Sequence, residues 1–436
     1  MNGGILMLSK LVNKFRGNLF LYNTMWNIGG KVLQMGLSLI VGMLTARYLG
    51  PSNYGVIGYT ASYVSFFSVI CQLGFTSIAV KELLDNKEKE GEVLGTSIFL
   101  RVCVSIISSI AITCLIYIVD KGDKTIVWVA FLQSLSLMFQ SFDMFHYWYQ
   151  SRMETQVSVK IQTLAYLIMS AYKIAILALG KNVEWFAFST AFEAAVVAVF
   201  LGVAYKKSST QKLSVSWAYG KQMFKESYHF VLSGLMVTIY SEMDKIMLGR
   251  MLSSEAVGFY TAANKISSLW SFVLLALINS AEPLIIATRA KSIDQYIKKN
   301  KQLYAAVIWI GVAAGLAITL LGKWIILIMY GEAYLAATSS LRISAWYTMF
   351  AMLGTARGVW VVCENKGKYV KYYLGAGAIV NVVLNYLLIP PYGPAGAAAA
   401  TLITQIFTSV FAPALFKETR IYTKYVFEAF FLKGIR

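Results

Sequence analysis

The sequence predicts an all-α integral membrane protein with twelve transmembrane helices. Of its 436 residues, 58% are hydrophobic and only 14% are charged, and the mean hydropathy is +0.61. A soluble protein carries roughly a quarter charged residues, so this balance suits a chain whose solvent is largely lipid. The net charge of +18 does not indicate nucleic-acid binding, because Lys and Arg stand in short clusters between apolar runs, as membrane topology requires.

Twelve apolar runs are each long enough to cross a bilayer, which takes about 20 residues at a helical rise. Turn residues and charge clusters mark their ends. The predicted spans are residues 20–46, 54–80, 92–119, 125–149, 156–179, 183–205, 222–250, 256–287, 299–330, 337–363, 369–389 and 394–416. They predict an N-terminal six-helix lobe over residues 1–205 and a C-terminal one over 222–416. A basic cytoplasmic linker, 206–221, joins the lobes, and a basic amphipathic cytoplasmic tail, 417–436, follows them.

The loop charges predict the orientation. With the N-terminus inside, the cytoplasmic segments hold 26 Lys and Arg residues and the external segments hold 6. Positive side chains are retained on the cytoplasmic face, so both termini are expected there. The first segment, Met1–Asn23, shows no cleavable signal. The four cysteines lie in apolar runs without metal-ligand or disulfide spacing, so no metal or cofactor is expected.

A weak internal repeat relates the two halves. Residues 47–55 and 250–258 match at Arg, Leu and Gly with a constant offset of 203 residues. Each segment lies between the first two spans of its own half. Halves with an even number of spans share one orientation, so we expect them to be related by a pseudo-two-fold axis along the membrane normal.

Three segments resemble signatures of a known family. Thr45–Gly55 resembles the first-hairpin signature of the Wzx-type polysaccharide-repeat flippases, a branch of the MOP (MATE-like) exporter superfamily. Asp244–Gly249, followed by Val257–Ile266, resembles that family's signature between spans seven and eight, and Tyr392–Ala398 is similar to a third. Together with the twelve spans, the resemblance covers the whole chain.

The resemblance implies a MATE-like fold of two six-helix bundles that face a central cavity. It implies that the protein moves undecaprenyl-pyrophosphate-linked oligosaccharide, such as O-antigen or capsule repeat units, from the inner to the outer leaflet of the bacterial plasma membrane by alternating access. The implied partners are that lipid-linked substrate, membrane lipids, and the polysaccharide polymerase and chain-length machinery. Coupling to H⁺ or Na⁺ is plausible for the superfamily.

Charged residues inside the spans are the candidate site residues, because a charge near the bilayer centre costs a few kcal/mol or more. Lys31 and Arg101 lie roughly 14–16 Å from the inner end of their spans, too deep to reach the surface easily. We predict that both bind the pyrophosphate head group. The alternative is that they pair with Glu193 or with a backbone carbonyl. Lys265 and Arg357 complete the predicted head-group set, although Arg357 lies where it could instead reach toward lipid head groups.

Spans seven and eight carry the predicted coupling residues. Asp244 and Lys265 lie at similar depth, so one interpretation is an ion pair between them, with Glu242 and Lys245 one helical turn apart on a neighbouring face. The other is that Asp244 or Glu242 binds and releases a proton or cation during transport. Glu193 and Arg47 join this coupling and gating set. Arg47 either fixes the rim of the first external hairpin or gates the exit.

Two other functions compete with a flippase. A cation-coupled drug exporter of the same superfamily would favour an acidic cavity, whereas these spans hold seven basic and five acidic residues. A membrane polysaccharide polymerase or glycosyltransferase would need catalytic carboxylates and a sizeable external or cytoplasmic loop. The loops are short and carry no such pair, so the sequence predicts a transporter and not an enzyme.

Overall fold

A computed structural model describes residues 19–435, with side chains from residue 29 onward. Residues 1–18, most of the predicted cytoplasmic N-terminal segment, lie outside the described part. Within it the chain forms fourteen α-helices and no strand. They are α1 (Leu19–Cys71), α2 (Phe75–Asp85), α3 (Glu90–Val119), α4 (Lys124–Gln140), α5 (Met144–Ser151), α6 (Thr155–Ala178), α7 (Val183–Ser208), α8 (Trp217–Met251), α9 (Ser254–Arg289), α10 (Ile293–Met329), α11 (Ala337–Cys363), α12 (Gly367–Tyr392), α13 (Pro394–Ile406) and α14 (Arg420–Phe430).

Interruptions divide these helices into twelve spans. Helix α1 contains two spans, because Gly50 has a φ of 72° and a ψ of 170° and Pro51 begins the next helical segment. Only glycine adopts that backbone conformation readily, and proline suits the first turn of a helix. The second span continues from α1 into α2. The fourth joins α4 and α5 through a 3₁₀ turn at Ser141–Asp143.

The twelfth span extends α13 through a π-helical segment, Phe407–Phe411, and a 3₁₀ turn, Ala412–Leu415. Nine helical stretches of the described chain are long and apolar enough to cross a membrane, and one of them, Gly29–Asp85, contains the first two spans. Helices α8 and α11 are long enough but more polar. The predicted all-α, twelve-span membrane fold is therefore confirmed.

The chain forms two compact units. Among the described residues, the first contains residues 19–48 and 63–235, and the second contains residues 49–62 and 236–435. This grouping by contacts differs from the predicted lobes, because it divides the chain inside α8 and assigns the first turns after Gly50 to the second unit.

Aromatic residues fill the core of each unit. In the first unit Trp148 packs against Tyr205, with 5.0 Å between ring centroids. Its indole N–H donates to the buried carboxylate of Glu90 at 2.8 Å, and Arg152 donates to the same oxygen at 2.8 Å, so α3 is tied to the end of α5. In the second unit the tail helix α14 inserts Tyr422 against Tyr304 of α10, at 5.3 Å.

The two repeated segments contact each other inside the second unit. A Cβ atom on Gly55 would lie 1.7 Å from the carbonyl oxygen of Ser254, and one on Gly258 would lie 2.0 Å from the carbonyl oxygen of Pro51. No other residue fits this backbone-to-backbone approach. The glycine shared by the two repeats is thus explained by close packing of one repeat on the other.

Candidate functional site

A buried carboxylate lies at the centre of a polar cluster in the second unit. Helix α8 places Asp244 in the interior, where it is 1% exposed. The hydroxyl groups of Tyr260 (α9) and Thr401 (α13) both donate to its Oδ2. Asn385 (α12) donates to its Oδ1 through Nδ2 at 2.5 Å. Four helices therefore converge on one negative charge.

The asparagines of α12 extend this cluster. Asn385 also donates to Oδ1 of Asn381 at 3.0 Å, and Asn381 donates to Oγ1 of Thr401 at 3.4 Å. The Oδ1 atom of Asn385 is buried and has no hydrogen-bond partner. A buried acceptor without a donor is costly. The cluster around Asp244 therefore contains one oxygen that a proton donor or a cation would satisfy.

A second layer of hydrogen bonds supports Tyr260 on α9. The side-chain oxygen of Asn264, about one turn further along α9, accepts from Tyr347 at 2.9 Å and from Ser344 at 3.1 Å, both on α11. These bonds join α9 to α11 beside the carboxylate. Movement of α11 would therefore shift α9 and the Tyr260 hydroxyl that donates to Asp244.

The ion pair considered between Asp244 and Lys265 is replaced by neutral donors. The hydrogen bonds on the Asp244 carboxylate come from a phenol, an amide and a hydroxyl, and Lys265 lies half-buried elsewhere on α9. The other pair is present, since Lys245 donates to Glu242 at 2.7 Å. Asp244 thus differs from Glu242 in having no cation among its hydrogen-bond donors in the described chain.

Arg101 occupies the interior of the first unit. It is 2% exposed, and its Nη2 donates to the carbonyl oxygen of Gln140 at 2.9 Å, where α4 gives way to the 3₁₀ turn. Nε and Nη1 have no hydrogen-bond partner, and Asp143 is the opposite charge that acts on the guanidinium most strongly. This is the carbonyl pairing that the sequence left as the alternative to head-group binding.

Lys31 has the opposite environment. Its side chain is exposed, and its charge acts on His146 at the start of α5. Lys31 is therefore not buried in the interior of the unit, unlike Arg101. Lys31 and Arg101 both lie within electrostatic range of the Asp143–Tyr147 region.

Arg357 fits neither of its two sequence interpretations. It is 6% exposed, donates from Nη1 to the carbonyl oxygen of Thr408 at 2.5 Å, and lies over the Tyr373 ring at 4.9 Å. The reason is the π-helical segment of the twelfth span, whose irregular backbone offers a carbonyl that the guanidinium can reach. Arg357 neither extends to the membrane surface nor lines open space in this structure.

The remaining candidates, Glu193 and Arg47, lie in the first unit. Glu193 is half-buried on α7, and Lys173 on α6 is the cation that acts on it. Arg47 is exposed near the end of the first span. Among the described residues no group of three or more His, Cys, Asp or Glu side chains could hold a metal ion. An ion site here would therefore rest on Asp244 and neutral oxygen atoms.

Sequence reasoning missed two donors to Asp244. Tyr260 lies inside the segment that resembles the family signature, so a signal for it existed. Thr401 is one of many hydroxyl residues in apolar runs, so no sequence signal distinguished it from the others. Asn381 and Asn385 were interpreted as a hydrogen-bonding pair between helices, and the structure adds the carboxylate to which Asn385 donates.

Comparison with known proteins identifies two families and a bacterial relative that this chain resembles. Residues 20–288, more than half of the chain, match the family described as polysaccharide biosynthesis protein, and residues 230–387 match the family described as MatE. A protein of Escherichia coli (strain K12), named as a candidate O-antigen transporter, is 21% identical over 383 residues. That alignment covers 85% of this chain and 90% of the relative.

Two solved structures share the fold. The lipid II flippase MurJ in an inward closed conformation aligns with a TM-score of 0.71 at 14% identity, over 94% of this chain and 90% of MurJ. An inward-facing multidrug resistance transporter of the MATE family aligns with a TM-score of 0.65 at 14% identity, over 91% of this chain and 96% of that one. The chain therefore belongs to the polysaccharide biosynthesis protein family and has a multi-pass, MATE-like helical fold.

Proposed function

We propose that this protein moves undecaprenyl-pyrophosphate-linked oligosaccharide repeat units from the inner to the outer leaflet of the bacterial plasma membrane, by alternating access. The observation that carries the proposal is the family match over residues 20–288, together with a candidate O-antigen transporter that aligns over nearly the full length of both chains. Both termini would lie in the cytoplasm. A polysaccharide polymerase and chain-length proteins would act on the exported repeat unit at the outer face of the membrane.

The head-group site is best assigned to Lys31. A pyrophosphate must keep polar partners while it crosses the apolar layer, and an ammonium or guanidinium group replaces water well. Lys31 is exposed, whereas Arg101 and Arg357 already donate to main-chain carbonyls and Lys265 is half-buried. We assign Arg101 and Arg357 to holding interrupted helices in place and Lys31 to contacting the substrate.

The coupling site is assigned to Asp244. A buried carboxylate whose donors are all neutral carries an uncompensated negative charge, which is costly in a span. A proton or a small cation would neutralise it. The unpartnered Oδ1 of Asn385 fits a cation, since it would complete an oxygen set with the Asp244 carboxylate, Asn381 Oδ1 and Thr401 Oγ1. H⁺ and Na⁺ are the two coupling ions to test.

The experiment is translocation in proteoliposomes made with the purified full-length protein. A fluorescent lipid-linked oligosaccharide is incorporated, and a membrane-impermeant quencher reports the fraction on each leaflet. Protein-dependent exchange between leaflets is expected. Replacement Lys31→Gln should slow it by about tenfold, because a charge-assisted contact contributes about 1.5–3 kcal/mol.

The matched control is Lys291→Gln, an exposed lysine in the loop before α10. Its exchange rate should equal that of the wild type. Exchange that is no faster than in protein-free liposomes would contradict the proposed function. A wild-type rate for Lys31→Gln would remove the head-group assignment alone.

A cation-coupled exporter of small molecules is the second candidate function. The MatE family match over residues 230–387 favours it, since that region contains Asp244, and so does the fold shared with a multidrug resistance transporter. The same proteoliposomes separate the two functions. Gradient-driven movement of a fluorescent organic cation, without movement of the lipid-linked sugar, would support the exporter.

A further inference from the structure

A groove lies on the first unit, and none of the residues assigned above lines it. Its volume is about 710 Å³. Helices α4, α5 and α7 form the walls with apolar side chains, among them Phe139, Phe142, Val199 and Val203. Lys206 and Lys212 stand at one end of it, together with the hydroxyl residues Ser209 and Thr210. The groove is thus apolar along its length and basic at one end.

The segment that follows α7 forms the basic end of the groove, and hydrogen bonds to residues 87–91 hold it in place. The Gln211 side chain accepts from the backbone N–H of Gly91 at 2.9 Å and donates to the carbonyl of Lys87 at 2.8 Å. The Ser214 N–H donates to the Gly91 carbonyl at 3.2 Å. A Cβ atom on Gly91 would lie 2.2 Å from the carbonyl oxygen of Lys212, so the backbone of Lys212 rests directly on α3.

The dimensions suit a lipid. From Ala198 to Lys206 the groove follows α7 for about 12 Å, at a helical rise of about 1.5 Å per residue. Lys206 lies near the last residue of α7, where we expect a helix that spans the membrane to reach the head groups. Both rim lysines are exposed. An acyl chain in the groove would therefore bring its own phosphate to the two ammonium groups.

We propose that this groove binds one anionic phospholipid, with an acyl chain along α7 and the phosphate between Lys206 and Lys212. Charge complementarity selects the occupant, because a basic residue near a membrane surface attracts anionic lipid by about 1 kcal/mol. A soluble anion would leave the apolar walls uncovered, and a zwitterionic lipid would gain less from the lysines. The proposal does not depend on which substrate the protein transports.

The test uses the full-length protein in nanodiscs that contain a photoreactive phosphatidylglycerol with a diazirine on its acyl chain. A phosphatidylcholine probe with the same acyl chains serves as the comparison. Peptide mapping should place phosphatidylglycerol adducts on residues 139–145 and 198–203. The double variant Lys206→Gln and Lys212→Gln should reduce those adducts by at least about fivefold.

Two variants keep the result interpretable. Lys207→Gln, the neighbouring exposed lysine that does not line the groove, should label like the wild type. Gly202→Leu should fill the groove, because a Cβ atom there lies 3.7 Å from the nearest atom of Phe145 and the rest of the side chain would enter the space. It should abolish labelling by both probes in protein that remains monodisperse.

Equal labelling by the two lipids, unchanged by the lysine double variant, would overturn the proposal and indicate an ordinary lipid contact. Labelling at the mapped residues that survives Gly202→Leu would also overturn it. If the double variant does not fold, Lys212→Gln alone is expected to show the selective loss of the phosphatidylglycerol adducts, and its failure to do so would count equally against the proposal.

Discussion

Arg101 in the first unit and Asp244 in the second are both charged, both in membrane spans and both almost fully buried, at 2% and 1% exposure. Their environments differ. Arg101 gives one hydrogen bond to a main-chain carbonyl and lies near the opposite charge of Asp143. Asp244 accepts three bonds from neutral donors on three other helices.

The difference between these two environments indicates which buried charge can serve in transport. A guanidinium stays protonated at any physiological pH, so Arg101 can hold a helix junction but cannot exchange a proton. A carboxylate can bind a proton or a cation, and the donors around Asp244 offer no fixed positive charge that would compete. Arg357 repeats the Arg101 arrangement in the second unit, at the π-helical segment. We therefore propose that the two arginines stabilise helix junctions and that Asp244 is the coupling residue.

The largest effect is expected from Asp244→Asn. The variant keeps the size of the side chain but removes the carboxylate that we propose binds the proton or cation. The gradient-driven part of translocation should fall by roughly tenfold or more, because charge-assisted contacts contribute about 1.5–3 kcal/mol. Glu242→Gln, which removes a half-buried carboxylate one half-turn away, is the control and should retain gradient dependence. Equal losses in both variants would erase the distinction between Asp244 and its neighbour.

The next effect is expected from Arg101→Met, in stability. The change removes the bond to the Gln140 carbonyl and leaves Asp143 without its main opposite charge. Thermal unfolding in detergent should show a loss of about 1–3 kcal/mol. Arg342→Met, at an exposed arginine of α11, should shift stability by less than about 0.5 kcal/mol. Folded protein in which Arg101→Met abolishes the response to an ion gradient would show that Arg101 also takes part in coupling.

A smaller effect is expected from Thr401→Val, which removes one of the donors to Asp244 and nearly preserves shape. Loss of one hydrogen bond is worth about 1 kcal/mol, so the cation concentration or pH at half-maximal transport should shift by roughly fivefold. Thr404→Val, one turn along, removes only a bond to the Ala400 carbonyl and is the matched control. The shift is measured from translocation rates at a series of ion concentrations. Identical midpoints for the two variants would exclude Thr401 from the site.

The smallest effect concerns an ion pair between the N-terminal part of α10 and Glu428 of the tail helix, which lies outside the predicted spans. Lys301 donates to Glu428 of the tail helix at 2.6 Å and lowers the pKa of that carboxyl below its ordinary value of 4.5. A lowered pKa contributes stability above the ordinary value, and that contribution is lost as pH falls through the lowered one. Because both side chains keep some contact with solvent, we expect the pair to contribute about 1 kcal/mol or less.

Hydrogen exchange of residues 420–430 should therefore quicken slightly below pH 4.5. The variant Glu428→Gln should exchange at the faster rate at every pH. A tail whose exchange in the wild type shows no such dependence would mean that packing of Tyr422 alone holds α14 in place.

The spans were predictable from the sequence because every membrane-spanning helix needs a long apolar run with charged residues near its ends. The turn at Gly50–Pro51 was predictable too, because it separates two such apolar runs. The 3₁₀ turn at Ser141–Asp143 and the π-helical segment at Phe407–Phe411 were not, since both keep the apolar character of their spans. Those interruptions supply the carbonyls that Arg101 and Arg357 use, so the sequence could not reveal the arginine environments either.

The Asp244 cluster was predictable only in part. Charge pairing is the strongest pairwise interaction between residues of one hairpin, so Lys265 was the natural partner. Neutral donors prevailed because Asn385 and Thr401 reach Asp244 from helices 141 and 157 residues away along the chain. Three-dimensional convergence of this kind leaves no local signal.

The most direct test of the central claim is ion flux measured together with translocation in one set of proteoliposomes. An inward or outward gradient of Na⁺ or of H⁺ is imposed, and the flux of that ion is recorded with and without lipid-linked oligosaccharide. The account predicts that one of the two ions moves only when substrate is present in the wild type, and that Asp244→Asn abolishes this substrate-dependent flux. A translocation rate that is the same under every gradient, in both the wild type and the variant, would contradict it.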